Sequence, residues 1–167
     1  MKNLLLLPAV SGVTLLLLLP LGMWWGVSSP LYDWWLLVHL GLHLATIFYF
    51  LFASRLPLIG VLGVLALCAL ALIAGAHPVT ARDALIHHLA VPRWWLQSGT
   101  ISPISWHEWS YYPMLPQLAF TGFLKYGLSI GASWYHGSYL LIGALLTSRF
   151  LYEEYGDRTV CTFGAVL

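Results

Sequence analysis

The chain has 167 residues and a net charge of +1, with 8% charged and 60% hydrophobic residues. An ordinary soluble domain carries about 25% charged residues, and a fold of this size leaves too much surface in water to hide so much apolar side chain. The composition excludes a water-soluble globule and offers no basic surface for nucleic acid; lipid is the solvent that accepts it.

Met1-Lys2-Asn3 lead into an apolar run over 4–27. That run is longer than a signal-peptide core of roughly 7–15 residues and matches the roughly 20 residues a membrane span needs. It is predicted as a retained first span, bent by Pro8, Gly12 and Pro20. Trp24, Trp25, Trp34 and Trp35 flank the polar turn from Ser28 to Asp33, and tryptophans collected in this way mark the headgroup level. A second span is predicted over 34–53, a turn at Ser54-Arg55-Leu56-Pro57, and a third span over 58–76. Cys68 and Cys161 lie far apart in apolar runs, so no disulfide framework is expected.

The character changes over 77–113. This stretch holds Arg82, Asp83, His87, His88, Arg93, Gln97, His107 and Glu108, together with Trp94, Trp95, Trp106, Trp109, Tyr111 and Tyr112. Thr80 followed by Asp83 has the spacing of a helix start. On that helix Asp83, His87 and Trp94 would share one face, and Leu85, Leu89 and Leu96 another. Pro92 should break it near its middle, and Gly99 should cap its end. An acid in the first turn of a helix can simply offset the dipole, or it can accept a proton at the membrane boundary. Spacing leaves both roles open for Asp83.

Residues 114–130 are apolar but short of a full span, with Pro116 and Lys125 inside, and 133–150 is predicted as a further span. The apolar run over 159–167 stops short of a span, as in a truncated chain. Three parts result: three membrane helices over 1–76, a polar loop over 77–113, and further membrane helices over 114–167. The expected fold is all-α, a polytopic transmembrane helix bundle whose external loop contains a membrane-surface amphipathic helix. Lys2 and Arg55 place the N-terminus and second turn in the cytoplasm, and therefore the 77–113 loop outside, in the periplasm if the membrane is a bacterial inner membrane. If 114–130 does not cross, Lys2, Arg55, Arg149 and Arg158 lie inside against Arg82, Arg93 and Lys125 outside. The positive-inside pattern favours that arrangement.

The run Asp83-Ala84-Leu85-Ile86-His87-His88-Leu89-Ala90-Val91-Pro92, then Gly99-Thr100-Ile101 and Tyr112-Pro113-Met114-Leu115, resembles the first external loop of membrane glycosyltransferases of the GT-C fold. The resemblance is to the bacterial branch related to dolichyl-phosphate-mannose protein mannosyltransferases, and it covers residues 77–167. It implies inverting transfer of a sugar from a polyprenyl-phosphate donor to an acceptor outside the cytoplasm, with Asp83 as the general base. It makes Arg82, His87, His88, Arg93, His107, Glu108 and Tyr112 candidate substrate contacts, and Arg82, Arg93 or Lys125 candidates for the lipid phosphate. Many relatives have tyrosine where this chain has His87. They are also longer, with more spans, so the chain corresponds to their N-terminal portion.

Other patterns compete. His39 and His43 are four residues apart on the second span, and His136 lies on a later one. Such histidines hold heme or chlorophyll in some membrane proteins and hydrogen-bond between helices in others. They motivate the alternative of a small non-catalytic subunit that packs with other membrane subunits. His87, His88, His107 and Glu108 could suggest a metal cluster. However, adjacent helical residues point about 100° apart and no HExxH spacing is present, so no metal ligand set is predicted. The loop tryptophans read as an interfacial belt, or as one or two platforms for a sugar ring.

Overall fold

The computed structural model describes residues 6–53, 56–77, 84–111, 115–160 and 162. Among these residues the regular elements are all helical: α1 (Leu6–Trp24), α2 (Pro30–Ala53), α3 (Leu58–Ala76), one π-helical turn (Ala84–His88), α4 (Ala90–Ser98), a 3-10 turn (Glu108–Tyr111), α5 (Leu115–Lys125) and α6 (Ser129–Tyr155). α1, α2 and α3 are each long and apolar enough to cross a membrane. α6 has 27 residues, but Ser133, His136, Ser138, Arg149 and Glu153 dilute its apolar content. The helix expected over 133–150 is present, without the hydropathy of the first three. α5 has 11 residues, a length of roughly 16 Å. That is about half of a hydrocarbon core, so α5 alone does not cross.

On α1 and α2 the buried faces mix polar with apolar side chains, while large apolar side chains also face outward. Along α2 the buried set includes Tyr32, Leu36, His39, His43, Thr46 and Phe50, while Trp34, Leu37, Val38, Leu44, Phe48 and Phe52 face outward. α1 buries Ser11, Thr14, Leu15, Leu18 and Gly22. In hydrocarbon the apolar side chains lose nothing by facing the solvent, whereas a hydroxyl or imidazole there loses its hydrogen bonds. The polar stripe therefore turns inward, where small and polar residues join helices.

The chain forms two compact units, residues 1–43 with 78–132, and 44–77 with 133–167. In the second unit the indole of Trp134 donates to the Leu72 carbonyl at 3.0 Å, and Gly137 lies against Ala71. Arg149 donates to the Ala53 carbonyl, the last of α2, at 3.0 Å and pairs with Glu153 at 2.6 Å. A cation at a helix C-terminus satisfies carbonyls that have no intrahelical partner.

The first unit carries the loop. α1 ends at Trp24, and Gly26 turns the chain with φ +83°. Gly99 ends α4 in the left-handed region at φ +79°, as expected for a helix cap. The two turns dock: Val27 N–H donates to the Gly99 carbonyl at 2.9 Å, and Ile101 N–H donates to the Gly22 carbonyl at 3.1 Å. An added Cβ on Gly22 would sit 2.2 Å from Cδ1 of the buried Ile101, so this contact requires a glycine. α5 packs on α1 and α4, and the Tyr32 hydroxyl donates to the Leu118 carbonyl of α5 at 2.6 Å.

The loop helix is broken near its middle, but at Leu89 and not at Pro92 as expected. Its residues Thr80 and Asp83 lie outside the described segments. From Ala84 the backbone is π-helical, and Leu89 then breaks the helix before α4 starts. The break precedes Pro92 by three residues. Pro92 thereby falls in the first turn of α4, where its missing N–H costs no helical bond, and Arg93 N–H opens the ladder to the Leu89 carbonyl. The phase of a straight α-helix is lost across this break. Leu85 is exposed, and the buried set is Leu89, Val91, Pro92 and Trp95 in place of Leu85, Leu89 and Leu96.

Gly26 combines a positive φ with a neighbouring backbone oxygen, Gly99 O, only 2.7 Å from where a Cβ would be. Gly26→Ala is expected to destabilise the folded chain by about 1–3 kcal/mol and to lower its thermal midpoint in detergent. Gly12→Ala, with nothing within 4 Å of its Cβ position, should match or exceed the wild type.

Candidate functional site

The loop residues form two adjoining arrangements within the first unit. One is a ring cluster around His107. Nδ1 of His87 and Nε2 of His107 are 3.4 Å apart, with ring centroids 5.4 Å apart and ring planes 29° from parallel. One imidazole donates and the other accepts, the tautomers deciding which. Trp94 meets His107 edge-on at 4.9 Å, and Trp106 meets Trp94 edge-on at 4.5 Å. Such crossed ring pairs add to the stabilisation from area burial alone. Burial, and then the neighbouring His87, hold His107 below the ordinary histidine range, while Glu108 pulls the other way.

The other arrangement is a cavity of about 330 Å³, lined by Leu16, Leu19 and Met23 of α1, by Trp95, by Leu115 and Leu118 of α5, and by loop residues including Ile101, Ser102 and Tyr111. Its walls are almost wholly apolar. The loop side is held by side-chain hydrogen bonds to backbone. Trp95 Nε1–H donates to the Ser102 carbonyl at 2.8 Å. Ser110 Oγ accepts from Ile104 N–H at 2.8 Å and donates toward the His107 carbonyl at 2.7 Å. Ser110 therefore closes residues 104–110 into a compact knot.

Of the candidate substrate residues, Arg82, Asp83 and Tyr112 lie outside the described segments. His87 and His107 are brought together, as above. His88 points elsewhere, its Nδ1 hydrogen-bonded to the Gln117 amide of α5. Gln117 is buried, and its Oε1 has no partner among the described residues. Arg93 and Glu108 are exposed. Lys125, a candidate for the lipid phosphate, is instead engaged: its Nζ lies 2.7 Å from both Asp33 oxygens and 3.1 Å from the Val27 carbonyl. The hydroxyl of Tyr126 bonds the same carboxylate, which pushes Tyr126 above the ordinary tyrosine range. A lysine in the last turn of one helix and an aspartate in the first turn of another also suit both helix dipoles.

Sequence reasoning missed Gln117, Ser110 and the Asp33–Lys125 pair. Only the last has a signal in the sequence, as two opposite charges in otherwise apolar surroundings. His39, on the candidate span α2, is placed by α1: its Nδ1 lies 3.0 Å from the Ser11 carbonyl and 3.2 Å from the Thr14 hydroxyl. His43 lies 5.9 Å from it, ring to ring. His136 is exposed on the second unit. No group of three or more potential metal ligands converges among the described residues. Comparison of the chain with protein-family models, with curated proteins and with solved structures found no match in any of the three.

Because His107 titrates lower in the folded chain than in the unfolded one, the unfolded state binds more protons as pH falls through the ordinary histidine value of about 6.5. Stability should therefore decline with acidification from that value down to the folded-state pKa of His107. His107→Phe should flatten this part of the profile. Thermal midpoints across pH 7 to 5 for both proteins check it.

Proposed function

We propose that this chain is a membrane glycosyltransferase of the GT-C type, or the N-terminal part of one. It would transfer a sugar from a polyprenyl-phosphate donor to an acceptor hydroxyl on the non-cytoplasmic side. The resemblance over 83–92 and 112–115 supplies the reaction class. The observation that carries the reading further is the apolar cavity beside the polar ring cluster. A polyprenyl-linked sugar is a molecule of just these two parts, an isoprenoid tail and a hydroxylated head. The cavity volume lies at the lower end of small-molecule sites, enough for the first isoprene units with the rest of the tail in lipid.

In this reading Asp83 accepts the proton of the acceptor hydroxyl. The freed oxygen lone pair bonds to the anomeric carbon from the face opposite the phosphate. The anomeric carbon–oxygen bond to phosphate breaks, the electron pair leaves with the lipid phosphate, and the configuration inverts. A general base needs hydrogen-bond reach to that one proton. Arg82 and Arg93 are the cations left to meet the phosphate charge, since Lys125 is bound to Asp33.

The test is transfer from a polyprenyl-phosphate sugar in membranes containing the chain. Asp83→Asn should lower the rate by roughly 10²–10⁴-fold with expression unchanged. Full activity in that variant would overturn the assignment.

A further inference from the structure

The 101–111 segment has two chemically different sides. Ser102, Pro103 and Tyr111 wall the apolar cavity. On the same segment Trp106 is 69% exposed, yet its ring is braced. Trp94 meets it at 4.5 Å with planes at 72°, and His107 lies 5.9 Å away at 57°. The backbone beneath is the knot that Ser110 closes, with His107 N–H donating to the Ile104 carbonyl at 2.9 Å. An indole already fixed in place loses little further freedom when a ligand lies on it.

We propose that Trp106 is a stacking platform for a pyranose ring, with Glu108, exposed and two residues along the chain, accepting hydrogen bonds from the sugar's hydroxyl groups. This rests on the glycosyltransferase reading and deepens it by naming where the sugar binds. The negative face of an indole attracts polarised C–H groups, which a pyranose presents on its flatter side. A carboxylate forms short, strong bonds with hydroxyl donors. The same carboxylate repels a phosphate headgroup, so a neutral polyhydroxylated ligand suits this corner better than a lipid phosphate. Trp24, Trp25 and Trp34 are exposed around the α1–α2 turn, but the acidic residue nearest them, Asp33, is paired with Lys125.

The experiment uses the full chain in lipid nanodiscs, titrated with the methyl glycosides of mannose, glucose and galactose while tryptophan emission is recorded. At least one glycoside should give a saturable change. Trp106→Ala should weaken that binding by about tenfold, Trp106→Phe should retain most of it, and Trp24→Phe should leave it unchanged. Far-UV circular dichroism of Trp106→Phe and Trp106→Ala shows whether the fold persists. The proposal is overturned if no glycoside gives a saturable change, or if Trp106→Phe and Trp106→Ala both bind as the wild type does. It is also overturned if Trp106 emission responds to lipid composition and not to sugar, which would make it an interfacial anchor. Where transfer is measurable, a raised KM for the lipid-linked sugar in Trp106→Ala assigns the platform to the donor, and a raised KM for a glycosylated acceptor assigns it to the acceptor. Glycoside binding does not require Asp83. Sugar binding at Trp106 with no transfer by the wild type overturns the transferase reading alone; transfer without sugar contact at Trp106 overturns this inference alone.

Discussion

Two backbone hydrogen bonds hold the loop to α1 and the turn after it: Val27 N–H to the Gly99 carbonyl and Ile101 N–H to the Gly22 carbonyl. Everything described as a site lies downstream of them. They place Ile101 against α1, and with it the wall of the cavity. They set the direction in which residues 102–111 leave, and so the position of His107 against Trp94. The glycines are the condition for this pairing. Gly22 lets Ile101 approach α1, and Gly26 turns the chain so that the next N–H faces Gly99. The Gly22 carbonyl is available because it lies in the last turn of α1, where carbonyls lack helical partners.

The length and apolar character of α1, α2 and α3, which suit a membrane, impose the second constraint. Where lipid surrounds a helix, sorting is by polarity inward. His39 shows the outcome: it sits in an apolar stretch of sequence, but its ring lies among a carbonyl and a hydroxyl of α1. The indole of Trp35 donates to the Thr14 carbonyl at 3.0 Å on the same interface. These bonds join α1 to α2 and use the histidine as a packing group. The Asp33–Lys125 pair does similar work, fastening the start of α2 to the end of α5. Both partners are about a fifth exposed, so water weakens the attraction and geometry matters more than charge.

Much of this architecture is legible in the amino-acid order, because twenty-residue apolar runs have few alternatives in lipid. The spans at α1, α2 and α3 fall where the runs fall, and Gly99 ends a helix as its position suggests. The loop is less legible. A 3.6-residue period assigns faces only while the helix stays α-helical, and the π turn followed by the break at Leu89 shifts the phase. His87 and Trp94 both reach His107, but from opposite sides of that break, so helical spacing gave the right pairing for a reason that does not hold. Gln117 and Ser110 carry no local signature, since their roles depend on chain segments 29 and 6 residues away. The proposed catalytic aspartate, Asp83, is an inference from sequence pattern alone.

The cavity and the ring cluster exist only if the loop is a folded part of the first unit. Amide hydrogen exchange in lipid nanodiscs measures this directly. Val27 and Ile101 lie outside helices, and their amides should exchange as slowly as those in the middle of α1, because each is bonded across the junction. Exchange of both at the rate of an unstructured segment would contradict the docking, and with it the placement of the cavity and the ring cluster.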